Sequence, residues 1–177
     1  TETMEGLASA TRRALADDDV AVIVYTGAGD AAFSAGGDLS GGFVDDPIGL
    51  HRSRSALADL FRLGVRGGKP TVARVNGHAL AGGFGLAVAC DFVICVEAAK
   101  LGTPEIAVGL GPMMISAVLL RSMPRKAVLD LMMTGRLITP DEAQRLGAVT
   151  RVVPRHELDV AVDEVVESLT QKSPAVL

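Results

Sequence analysis

Glu105 stands between Pro104 and Ile106, in an apolar stretch with few other ionisable groups. A carboxyl group buried among such neighbours holds its proton more tightly than one in water. That moves it toward the range useful for taking and returning a proton near neutral pH. A solvated or helix-capping carboxylate is the alternative at this position. Upstream, the run Leu80 to Ala89 holds Gly82, Gly83 and Gly85 among small apolar residues. Glycine inside a helix costs about 1 kcal/mol relative to alanine. Three of them therefore require either tight packing or the close approach of another backbone or a ligand. His78 precedes this run in a turn, where a structural role outweighs that of a base. Gly27, Gly29 and Ala32 fit the G-x-G-x-x-G/A dinucleotide fingerprint. That fingerprint needs a helix opening at the glycines, and Phe33-Ser34-Ala35-Gly36-Gly37 stands there instead, so a plain turn is the better reading. No Cys/His cluster has metal-ligand spacing and no nucleophile elbow occurs.

The elements that must position these residues follow from periodicity. Met4, Leu7, Ala8, Thr11 and Leu15 share one side of a helix over 3–16. Val20 to Tyr25 is a buried strand of parallel type, and 27–42 is a glycine-rich loop. A helix is expected over 48–63, a break at Gly67-Gly68-Lys69-Pro70, a strand over 71–75 and a turn at Asn76-Gly77. A small-residue helix starts at Gly82 and a strand covers 91–97. Helices are expected over 112–121 and 125–134. Thr139-Pro140-Asp141-Glu142 reads as a capping-box helix start, and Gly147 ends that helix. A strand over 149–153 and an amphipathic helix over 157–169 follow. Strands alternate with helices, which argues for an α/β fold with mainly parallel pairing. Two glycine-rich segments each follow a strand, a hint of internal repetition.

Composition narrows the function. The chain has 177 residues, 49% of them hydrophobic and 21% charged, enough for one domain with a core. A net charge of -4 leaves no basic footprint for nucleic acid or anionic membrane. Arg52, Arg54, Arg62 and Arg66 lie at near-helical spacing and read as a solvated face, with a local landing site for phosphates as the functional alternative. Cys90 and Cys95 lie in apolar surroundings and read as core residues of a reducing compartment. No apolar run reaches about 18 residues, and the opening Thr1 to Glu5 run is acidic, unlike a secretory leader, so the cytoplasm is the expected location.

Three segments, taken in order, carry a resemblance. Phe33-Ser34-Ala35-Gly36-Gly37-Asp38-Leu39 resembles the F-C-A-G-A-D-I loop of the enoyl-CoA hydratase/isomerase (crotonase) family. Asn76-Gly77-His78-Ala79-Leu80-Ala81-Gly82-Gly83 through Ala89-Cys90-Asp91 resembles its N-G-x-A-x-G-G-G…C-D segment. Gly102-Thr103-Pro104-Glu105-Ile106 through Gly109-Leu110 resembles its G-x-P-E-I…G-L segment, and Leu131 to Gly147 is similar to a fourth. The resemblance implies a spiral of ββα repeats and an enzyme acting on an acyl-CoA thioester in fatty acid metabolism. It needs no cofactor beyond the coenzyme A of its substrate.

By that resemblance the backbone N–H groups of Ala35 and Gly82 form an oxyanion hole for the enolate, Glu105 is the acid/base, and Ala35, Gly36, Gly37, Asp38, Gly82 and Gly83 bind substrate. Asp38 is expected to order its loop by accepting backbone N–H bonds. Phe84, Met113 and Met114 are candidates for an acyl pocket, though core packing is the more common fate of such residues. One position departs from the pattern: the second glutamate of the two-glutamate hydratases falls at Gly85 here. This leaves an enoyl-CoA double-bond isomerase, or a non-catalytic acyl-CoA binder, as alternatives to a hydratase. The family also implies a homotrimer or hexamer, and chains longer at both ends. Residues 1–177 are thus expected to form a single crotonase-like core, truncated on either side.

Overall fold

A computed structural model describes residues 2–37 and 47–173 of the chain. After helix α1 (Glu2–Ala16) the chain makes strand β1 (Ile23–Thr26), strand β2 (Ala32–Ser34) and helix α2 (Pro47–Arg66). A second pass gives β3 (Thr71–Val75), β4 (His78–Leu80) and α3 (Gly82–Ala89). A third gives β5 (Phe92–Val96), β6 (Leu101–Gly102), a 3-10 turn over Pro104–Val108 and α4 (Met113–Ser122). Helix α5 (Arg125–Thr134), β7 (Leu137–Ile138), α6 (Pro140–Arg145), β8 (Arg151–Val153) and α7 (Leu158–Thr170) complete it.

Each pass is one ββα unit, and each unit sends its first strand to one sheet and its second to another. The first sheet has the order β1-β3-β5-β8 and is parallel throughout. The second has the order β2-β4-β6-β7, parallel except for the β6–β7 pair. The expected α/β spiral with mainly parallel strands is therefore present, and so is the repetition hinted at by the two glycine-rich segments. Strand β3 explains why the first sheet reads as continuous apolar runs. Val72, Ala73 and Val75 are fully buried because both faces of the strand are covered.

Differences from the expected elements concentrate in the second sheet. The loop expected over 27–42 contains β2, the Asn76-Gly77 turn leads straight into β4, and β6 and β7 had no counterpart. These strands have two or three residues each, too few for a period-2 pattern to register. The G-x-G-x-x-A fingerprint also fails as a cofactor site, because Ala32 opens a strand and not a helix. The capping box at Thr139 is half made. The Thr139 hydroxyl accepts the Glu142 N–H at 3.2 Å, but the Glu142 carboxylate pairs instead with Arg136 at 2.8 Å.

Polar side-chain knots tie the sheets. Asn76 is buried at the end of β3. Its Oδ1 accepts the Gly27 N–H at 3.0 Å, and its Nδ2 donates to the Gly29 carbonyl at 2.6 Å and the Gly27 carbonyl at 3.2 Å. Asp91 Oδ2 accepts from both the Thr71 N–H and hydroxyl at 2.8 Å, fixing β5 beside β3. Cys90 and Cys95 are buried free thiols whose burial pushes their pKa up to about 12, as expected of core cysteines. Among the described residues no helix is long and apolar enough to cross a membrane.

Candidate active site

Glu105 sits in the 3-10 turn Pro104–Val108, and the turn is held at both ends. Before it, the fully buried Thr103 donates its hydroxyl to the Leu131 carbonyl at 2.9 Å. After it, Gly109 takes the left-handed conformation (φ 75°) and Leu110 donates its N–H to the Glu105 carbonyl at 3.0 Å. Glu105 lines a cavity of about 360 Å³. Its Oε2 is buried with no hydrogen-bond partner among the described residues. Burial raises its pKa, and a bond from its own backbone N–H lowers it only in part. An unpartnered buried carboxylate oxygen is costly, and such atoms collect where a substrate supplies the missing partner.

The same cavity is lined by Ala35, just past β2, and by Gly82, the first residue of α3. The sequence places glycine where these two segments touch. A β-carbon on Gly83 would lie 2.5 Å from the Ser34 carbonyl oxygen. One on Gly36 would lie 2.8 Å from the Ala81 methyl and 3.7 Å from the Gly82 nitrogen. Hence the end of β2 and the start of α3 approach backbone to backbone. Among the described residues, neither the Ala35 nor the Gly82 N–H has an acceptor. The Gly82 amide belongs to the first turn of α3, whose N–H groups have no partner within the helix and carry partial positive charge. Ala81, just before it, has φ 52° and ψ −128°. A non-glycine residue held there costs of order 1–3 kcal/mol, and the strain falls beside the cavity, which Ala81 and Gly82 both line.

The expected site residues thus separate into groups. Ala35, Gly37, Gly82 and Glu105 share the cavity lining. Gly36 and Gly83 are not on it; their lack of a side chain lets the two loops meet. Asp38 lies outside the described residues. Phe84 is core, 1% exposed, whereas Met113 and Met114 line the cavity. The His78 Nδ1 accepts the Lys100 N–H at 3.0 Å and the ring is off the cavity, as a structural histidine would be. Of the arginines, Arg52 and Arg62 are exposed and Arg62 pairs with Asp59 at 2.9 Å, but Arg54 reaches the cavity.

Ile115 had no signal in the sequence, yet it decides what Gly85 can be. A β-carbon on Gly85 would lie 2.8 Å from the Ile115 Cβ and closer still to its Cγ2, with the Phe61 ring tip at 3.1 Å. Ile115 is itself on the cavity lining and 2% exposed. The place from which a second carboxylate would enter is filled by an isoleucine. Among the described lining residues Glu105 is the only carboxylate.

Two outcomes are expected. Gly85→Ala should cost about 1–3 kcal/mol by overpacking. Combined with Ile115→Ala, the pair should lose less than the sum of the single losses by about 1 kcal/mol or more, measured by urea unfolding; strict additivity would contradict the contact. The second concerns pH. Because the folded state holds the Glu105 proton more tightly than the unfolded chain, its contribution is most favourable at acid pH. It declines as pH rises from the unfolded carboxylate range through the folded-state pKa. Glu105→Gln should therefore be more stable than the parent at about pH 7, with the gap closing toward about pH 4. Denaturation at both pH values checks this, and a variant less stable at neutral pH would contradict it.

Comparison with known proteins agrees with this geometry. The enoyl-CoA hydratase/isomerase family model matches residues 1–177. A Thermus thermophilus protein provisionally named an enoyl-CoA hydratase is 40% identical over 167 residues, covering 92% of this chain and 65% of its own. A carnitinyl-CoA dehydratase of Salmonella arizonae is 40% identical over 162 residues, covering 89% of this chain and 60% of its own. The chain thus spans less than two thirds of these curated relatives. The crystal structure of an enoyl-CoA hydratase from Bacillus anthracis superposes with a TM-score of 0.91 at 31% identity, over 97% of this chain and 67% of that one. With the ββα spiral, the glycine-to-backbone contact and the family match all in agreement, the chain belongs to the enoyl-CoA hydratase/isomerase family of the crotonase superfamily.

Proposed function

We propose that the protein acts on the thioester carbonyl of an acyl-CoA, with the Ala35 and Gly82 amides holding the enolate oxygen and Glu105 moving the proton. The observation that carries this reading is the buried, unpartnered Glu105 oxygen on the same cavity as two amides without acceptors. When the ionised Glu105 removes a proton from the carbon beside the carbonyl, the electron pair moves onto the carbonyl oxygen. Two fixed N–H donors there stabilise the transition state more than the ground state, and losing one such donor typically costs about 3 kcal/mol. Much of the surrounding wall is apolar, and such bonds count for more beside apolar groups than in water.

The contact between Gly85 and Ile115 favours double-bond migration over hydration. In a 3-enoyl thioester, Glu105 takes the proton from C2 and the enolate extends over the chain. The same carboxyl returns the proton to C4, leaving the double bond at C2–C3. Every atom is conserved and Glu105 ends as it began. Hydration asks more of the site, since a water must be held, deprotonated on one side and its addition completed by a proton on the other. The names of the relatives favour the second reading, water addition or removal with Glu105 serving in turn as base and acid. In either case coenzyme A enters as part of the substrate. Trimeric or hexameric assembly, a cytoplasmic location and a place in fatty acid metabolism accompany the reading as family expectations.

The test is incubation of the full-length protein with matched 2-enoyl- and 3-enoyl-CoA, following shifted and hydrated products by chromatography. Glu105→Gln should lower turnover about 10²–10⁴-fold while acyl-CoA affinity changes little. Intact acyl-CoA binding with no turnover of any enoyl-CoA by the parent would favour a non-catalytic binder instead.

A further inference from the structure

The cavity has two ionisable side chains among its described lining residues, Glu105 and Arg54. Glu105 is used by the reaction proposed above; Arg54 is not. Around both, the wall is apolar: Leu57, Val108, Leu110, Met113, Met114 and Ile115. An arginine whose stem follows such a wall keeps its guanidinium at the open end, available to an anion that arrives along the same wall.

The position of Arg54 relative to the reacting carbonyl follows from α2. Leu57, on that helix, brings its Cδ2 to 3.3 Å from where a β-carbon on Gly82 would sit, so it packs at the level of the Gly82 amide. Arg54 lies three residues earlier on the same face, about 4.5 Å away along the helix axis. Helical side chains lean toward the helix N-terminus. Arg54 is exposed, and this helix geometry directs its guanidinium beyond Leu57 as seen from Gly82, toward the rim of the cavity it lines. A short acyl chain leaving a thioester held at Gly82 and running past Leu57 ends near this cation.

We infer that Arg54 is a specificity-determining residue, and that the substrate class is an acyl-CoA whose chain carries a second anionic group, a carboxylate in the simplest case, at its far end. This rests on the acyl-CoA reading and deepens it. A carboxylate at that position accepts a forked pair of hydrogen bonds from the guanidinium. A methyl end makes no such bond and leaves the charge to water.

The experiment measures binding, not turnover, so that it is independent of the reaction. Titration calorimetry on the full-length protein compares two saturated acyl-CoAs of equal chain length, one ending in methyl and one in carboxylate, with the parent and with Arg54→Gln. The parent should prefer the carboxylate-ended thioester by about ten-fold or more, and Arg54→Gln should reduce that ratio to about two-fold or less. Three results would overturn the inference: equal affinities in the parent, a preference that survives in the variant, or an equal loss for both thioesters, which would assign Arg54 to the phosphates of coenzyme A. Absence of binding by either thioester would overturn the acyl-CoA reading as well. Binding without any catalysis would leave Arg54's role standing and remove only the proposed reaction.

Discussion

The site depends on one close contact between two pieces of backbone. The end of β2 and the start of α3 meet so tightly that a single methyl group at Gly36 or Gly83 would collide with the opposite chain. That contact brings Ala35 and Gly82 to one cavity, each with an N–H that no other described group accepts. Close packing of this kind is unforgiving, because protein interiors leave little room for even one added methylene. Ala81 records the cost, held at positive φ where a residue with a β-carbon is strained.

The rest of the architecture supplies the rigidity this contact needs. Each ββα pass puts one strand in a parallel sheet whose central strands β3 and β5 are almost wholly buried, and one in a second sheet of short strands. Asn76 fastens the loop after β1 to the end of β3, so β2 and β4 leave the first sheet side by side. Asp91 and Thr71 do the same between β3 and β5. On the opposite wall Thr103 and Gly109 clamp the turn that carries Glu105. Side-chain bonds of this sort specify geometry as well as stability, and where the group is buried, as at Asn76 and Thr103, breaking one leaves a costly orphan.

Legibility in the sequence tracked how many residues each feature spans. The buried strand over 71–75 and the helix over 125–134 matched their expected bounds, because β-branched runs and helical periods repeat over enough residues to be counted. The second sheet was invisible, because its strands are two or three residues long and are specified by partners rather than by pattern. The motif glycines were legible as a requirement for close approach, although which of them line the cavity and which join the loops was not. Gly85 was legible as a departure from the family pattern. Its physical reason, the Ile115 side chain thirty residues on, belongs to tertiary packing and left no trace in the local sequence. Arg54 was hidden for a similar reason. Its spacing matches that of its exposed neighbours, and only the fold brings it to the cavity.

In the proposed reaction Glu105 exchanges a proton with the carbon beside a thioester carbonyl whose developing charge two amides hold. A saturated acyl-CoA, which has no double bond to move or hydrate, isolates that exchange when incubated with the full-length protein in deuterated water and followed by mass spectrometry. Deuterium should enter at the carbon beside the carbonyl with the parent and not with Glu105→Gln. Exchange that proceeds equally well in that variant would contradict it.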